Sequence, residues 1–85
     1  MSTDHLAAIA AQVSKNREDW AGYTRTPAEH LLLCSEELGE VARAMQKNML
    51  GYQWPPAYTA DVYQELVDLG AVVVAMMMEC DEHIR

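Results

Sequence analysis

Positive charge is scarce in this chain: six Lys and Arg stand against thirteen Asp and Glu over 85 residues, a formal charge of −7. A nucleic-acid-binding surface needs clustered Lys and Arg, so the balance argues against that class of partner. A nucleotide substrate stays open if metal ions first neutralise the acidic site. Cysteine is equally sparse. Cys34 and Cys80 lie far apart, form no C-x-x-C pattern and sit among apolar neighbours, which predicts two free, buried thiols in a reducing compartment. Long apolar runs are missing too. The longest, Leu69 to Met78, is ten residues, about half of what a membrane-spanning helix requires. The segment Met1 to His5 has neither the basic start nor the apolar core of a signal peptide. These absences predict a soluble, cytoplasmic protein with no membrane partner. Internal repeats and low-complexity stretches are also absent, and strand signals are weak throughout.

What the chain does have is apolar residues, 51% of the total, in a length that makes one small domain over residues 1–85 and buries a limited core alone. The surplus predicts apolar area buried between subunits. Helical spacing organises it. Leu6, Ile9, Val13 and Trp20 form one stripe of a first helix, which Gly22-Tyr23-Thr24-Arg25 breaks. Thr26-Pro27-Ala28-Glu29 then reads as a helix start, with Thr26 at the N-cap, Pro27 at the first helical position and Glu29 closing a capping box. This second helix carries Leu31, Cys34, Leu38, Val41 and Met45 and ends before Gly51, since Trp54-Pro55-Pro56 forbids helix. A third helix begins near Thr59 or Ala60, with Val62, Leu66, Leu69, Val73, Met76 and Cys80 as its main stripe. Between Leu69 and Met78 it is apolar on every side, which demands burial on more than one face. The expected fold is an all-α bundle of about three helices, completed by self-association as a homodimer or tetramer.

Two acidic clusters interrupt the apolar pattern: Glu36-Glu37-Leu38-Gly39-Glu40, then Glu65-Leu66-Val67-Asp68. Residues three apart share a helix face, pairing Glu37 with Glu40 and Glu65 with Asp68. A solvated acidic face would carry Lys or Arg at the neighbouring turns. Here Leu33 and Ala44 flank the first pair and Val72 and Ala75 follow the second; only Arg43 and Lys47 lie near the first and no cation lies near the second. Four carboxylates facing one bundle interior repel unless protonated or metal-bound. Neither cluster places His three residues beyond its Glu, as di-iron carboxylate bundles do. All-oxygen ligation favours Mg²⁺, with Mn²⁺ as a substitute.

The pattern Glu36-Glu37-x-x-Glu40 followed by Glu65-x-x-Asp68 resembles the signature of MazG-like nucleoside triphosphate pyrophosphohydrolases, within the all-α NTP pyrophosphatase superfamily. The resemblance runs from about Arg17 to Met78 and includes Trp20 at the end of the first helix, the run Leu31-Leu32-Leu33 and Gly39 inside the acidic cluster. It implies cleavage of the α–β phosphoanhydride of a (deoxy)nucleoside triphosphate to monophosphate and pyrophosphate. Glu37, Glu40, Glu65 and Asp68 match the family's metal ligands, and Glu36 matches the first acid of the motif. Glu36 and Glu40 are the two candidates for general base.

Substrate residues follow less directly. Trp20 matches a position where relatives place an aromatic near the base, and it equally ends the first helix's core stripe. Lys47 lies two turns beyond the acidic helix segment, within reach of a phosphate; some dCTP-cleaving relatives have an aromatic there. Arg17 and His30 complete the candidate substrate contacts, with Lys15, Arg25 and Arg43 as further cations. Tyr52, Trp54 and Tyr58 either cover the nucleotide or pack their loop. Relatives often carry basic residues on or after the last helix, whereas this chain reads Glu79-Cys80-Asp81-Glu82-His83. That departure keeps an alternative open: a non-catalytic, acidic oligomerisation module that binds metal or nucleotide without turnover.

Overall fold

Local hydrogen-bond chemistry starts each helix where the side chains supply a cap. In the computed structural model, which describes residues 4–49 and 58–84, three α-helices account for all regular structure. The first, α1 (His5–Asp19), is opened by Asp4, whose carboxylate accepts the Ala7 amide at 3.0 Å. It closes as the Trp20 amide donates back to the Asn16 carbonyl. Gly22 then adopts φ +83°, a left-handed conformation that side-chain-bearing residues rarely tolerate, and the chain reverses.

The capping box expected at Thr26 is formed. The Glu29 amide donates to Thr26 Oγ1 at 3.2 Å and the Thr26 amide donates to Glu29 Oε1 at 2.9 Å. From it runs α2 (Pro27–Met49). The third helix, α3 (Ala60–Ile84), starts where the Thr59 carbonyl accepts the Tyr63 amide at 2.9 Å and the Thr59 hydroxyl donates to Asp61. Tyr52 and Trp54 lie outside the described residues.

The helix α3 is the centre of the fold, with α1 and α2 each packed against it and not against one another. Gly70 lets α1 come close: a Cβ there would lie 2.9 Å from Ile9 Cδ1. His5 Nδ1 and the Tyr63 hydroxyl, 3.0 Å apart, tie the same two helices at their starts. Among the described residues the buried ones are small and few, namely Val41, Val62, Val67, Ala71 and Val72. The radius of gyration is 14.8 Å, against about 12 Å for a compact domain of this length.

Several expected core positions are turned outward. Leu6 is 79% exposed, and Trp20, Leu31, Leu38, Leu66 and Val73 are also exposed, as is Cys80. On α2 the side that meets α3 runs through His30, Leu33, Cys34, Glu37, Val41 and Ala44, all half-buried or buried. Leu31 and Leu38 lie about 90° further round. On α3, Leu66, Val73, Met77 and Ile84 repeat at intervals of seven, four and seven residues along an uncovered stripe. Leu38 follows Glu37 and Leu66 follows Glu65, each turned about 100° onward in the same screw sense. In an antiparallel pair that places both stripes on one side, so α2 and α3 present a shared apolar face. None of the described helices is long and apolar enough to cross a membrane.

Candidate functional site

The packing of α2 on α3 brings acids from both clusters together. Carboxylate oxygens of Glu37, Glu65 and Asp68 all lie within 4.8 Å of one another, and all three residues are half-buried. Glu37 reaches the group because it sits on the side of α2 that meets α3, one turn before buried Val41. Burial raises the Glu37 carboxyl above its ordinary value, and the charges of Asp68, Glu65, Glu40 and Glu36 push it the same way. Burial likewise raises Glu65, followed by Asp68, Glu40 and Asp61, with Arg43 opposing. Asp68 accepts a hydrogen bond from Gln64 Nε2 at 3.0 Å, which orients its carboxylate.

Glu40 departs from the expected fourfold convergence. It is exposed, and its Oε1 accepts from Arg43 Nη2 at 3.0 Å. The reason is angular: three residues of helix leave about 60° between Glu37 and Glu40, and Glu37 is the one aligned with α3. A surface ion pair of this kind contributes at most about 1 kcal/mol, a small barrier to Glu40 turning toward the group it already influences electrostatically. Glu36 is exposed beside Glu37, and its charge also raises the Glu37 carboxyl.

The donor set suits a hard divalent cation. Octahedral Mg²⁺ binds oxygen at about 2.1 Å, so opposite ligands are about 4.2 Å apart. Adjacent ligands are about 3.0 Å apart, so the three oxygens, which lie within 4.8 Å of one another, would draw together around such an ion. With no His or Cys in the group, softer metals have no preferred donor.

Three of the four expected substrate residues are collected elsewhere. Arg17, Trp20 and His30 line a cleft of about 290 Å³ between the end of α1, the turn after it and the second half of α3. Within it the Arg25 guanidinium lies 4.7 Å from the Trp20 ring centre and 5.6 Å from that of Tyr23. The Tyr23 hydroxyl donates to Glu29 Oε2 at 2.5 Å, which fixes this wall to the capping box. The hydrogen bond to Glu29 raises the Tyr23 hydroxyl's pKa; the Thr26 amide, then Tyr23, lower that of Glu29. Lys47 is not part of this cleft; it is exposed in the last turn of α2. Tyr58 is exposed two residues before α3.

The cleft and the acidic group share helix faces. His30 precedes Glu37 by seven residues on α2 and Ala75 follows Asp68 by seven on α3, a displacement of about 10 Å along each axis. Lys47 lies seven residues beyond Glu40 on the other side. Glu79 and Glu82 also line the cleft, a placement that the acidic reading of the last helix did not anticipate. Their spacing from Ala75 and Ala71, four and eleven residues along the helix, was the available signal. No protein-family model matches the chain, and no curated protein or solved structure matches it either. The resemblance to MazG-like enzymes therefore rests on the motif residues themselves.

Proposed function

We propose that this protein is a MazG-like, Mg²⁺-dependent nucleoside triphosphate pyrophosphohydrolase that converts surplus or noncanonical (deoxy)nucleotides to monophosphate and pyrophosphate. The observation that carries the reading is the meeting of Glu37, Glu65 and Asp68 within 4.8 Å across two helices, where burial opposes the charge of Glu37 and Glu65. Those three residues, joined by Glu40, would hold Mg²⁺ or Mn²⁺. Bound there, the ion would supply charge neutralisation for the polyphosphate and polarisation of its phosphoryl oxygens. The chain's own residues orient the substrate. Trp20, with Arg25 against it, offers a stacking surface for the base. Arg17 and His30 line the same cleft and would contact the substrate there, and Lys47, exposed in the last turn of α2, would meet a phosphate. Glu36 or Glu40, both exposed on α2 next to the group, would take the proton of an attacking water.

The apolar face formed by Leu31, Leu38, Leu66, Val73 and Met77 supports a homo-oligomer, because an isolated chain would leave it in water. Purified protein with Mg²⁺ and a panel of canonical, deaminated and oxidised nucleotides should release pyrophosphate. Glu40→Ala or Asp68→Ala should abolish release with helical content intact. Mg²⁺-nucleotide binding without pyrophosphate from any member of the panel would refute the enzyme and leave a binding module.

A further inference from the structure

The cleft that contains Trp20 has two chemically different walls. The end of α1 and the following turn supply Trp20, Tyr23 and Arg25, a stack of flat, delocalised groups. The opposite wall, from α3, supplies the carboxylates of Glu79 and Glu82. A phosphate placed against the α3 wall would meet two negative groups, while the cleft's cations, Arg17 and Arg25, come from α1 and the turn after it. A flat ring fits the first wall, because indole and guanidinium planes both stack on heterocycles. The second wall accepts hydrogen bonds and donates none. Glu79 lines this cleft and is only weakly held elsewhere: His83 Nε2 lies 3.6 Å from its Oε2, and that imidazole is 80% exposed. A donor entering the cleft competes readily with such a pair.

We infer that this cleft reads the nucleobase, selecting bases that carry an exocyclic amino group, with Glu79 as the specificity-determining acceptor and Trp20 as the stacking surface. The inference rests on the pyrophosphohydrolase reading for its ligand class, and it accounts for the acidic last helix. An amino group such as N4 of cytosine or N6 of adenine donates to the Glu79 carboxylate, as Glu does when reading cytosine in a nucleic-acid groove. A keto group at the same ring position presents a second acceptor and is repelled. Glu79 lies eleven residues beyond Asp68 on α3, about 16 Å along the axis, a span for the base, sugar and phosphates together.

Calorimetric titration with nucleoside monophosphates tests this without requiring turnover. Wild-type protein should bind cytidine 5′-monophosphate more tightly than uridine 5′-monophosphate, and adenosine 5′-monophosphate more tightly than the inosine analogue, by about tenfold. Glu79→Ala should erase the preference by weakening the amino-bearing partner alone, and Trp20→Ala should weaken both partners alike. Equal wild-type affinity within both pairs, failure to bind any of the four, or equal loss across a pair on removing Glu79 would overturn the inference. A retained amino preference in a protein that releases no pyrophosphate would refute the catalytic reading and leave base recognition standing.

Discussion

Neutralising one acid of the central group should make the metal-free protein more stable. Three carboxylate oxygens within 4.8 Å repel by about 1 kcal/mol per pair under water-like screening and about 3.5 kcal/mol at the effective dielectric of a protein surface. The residues are half-buried, which places the effect nearer the lower figure. Glu37 takes part in two of the three pairs, so Glu37→Gln relieves about 2 kcal/mol. For a domain of this size each kcal/mol moves the melting temperature by about 4–8 °C, and an increase of about 8–16 °C is expected in chelator at neutral pH. The same reasoning fixes the pH dependence. Glu37 and Glu65 have folded-state pKa values above their unfolded ones, so the folded chain holds more protons between the two. Their contribution favours folding below the unfolded value and is lost as pH rises through the folded value. Metal-free wild type should therefore gain stability on acidification from neutrality, and Glu37→Gln should gain less. Millimolar Mg²⁺ should raise the wild-type melting temperature and raise that of the variant by less than half as much. Far-ultraviolet circular dichroism at fixed protomer concentration reads all of these. A variant melting at or below wild type in chelator, or responding equally to Mg²⁺, would refute the shared site.

Gly70→Ala sets a gain of about 1 kcal/mol in helix propensity against about 1–3 kcal/mol of overpacking on Ile9, so thermal melting should show a net loss that Ile9→Val relieves. Thr26→Ala should cost about 1 kcal/mol in denaturant unfolding by removing the α2 cap. The Glu29 half of that box has a lowered pKa, so its stabilisation is present above the ordinary carboxylate value and lost as pH falls through the folded one. The melting-temperature gap between wild type and Glu29→Gln should close in acid for that reason. Sedimentation velocity should show a wild-type oligomer that Leu38→Glu or Met77→Glu converts to monomer; a monomeric wild type at micromolar concentration would overturn self-association.

The α2 start was legible because a capping box is local: Thr26 and Glu29 satisfy each other's backbone within one turn, whatever packs nearby. The acidic pairs were legible for a similar reason, since helical spacing alone places Glu65 beside Asp68. What spacing left unread was orientation. Two stripes of α2, one through Cys34 and Val41 and one through Leu31 and Leu38, are both apolar and only about 60° apart, so the helix's own sequence does not say which meets α3. The structure aligns the side bearing Glu37, which draws that acid inward and leaves Glu40 to Arg43. The cleft was illegible for a stronger reason. It joins the end of α1 to the far half of α3 through the close approach at Gly70, and that contact spans some sixty residues of chain.

Helix identity, the caps and the presence of two acidic pairs were determined by the sequence itself, because each depends on groups within a few residues of one another. Which acids converge, where Trp20 finds Glu79 opposite it, and which apolar stripe remains in water were decided only by tertiary packing. Those outcomes depend on the rotation of one helix against another, and a stripe pattern constrains that rotation only when a single face is apolar.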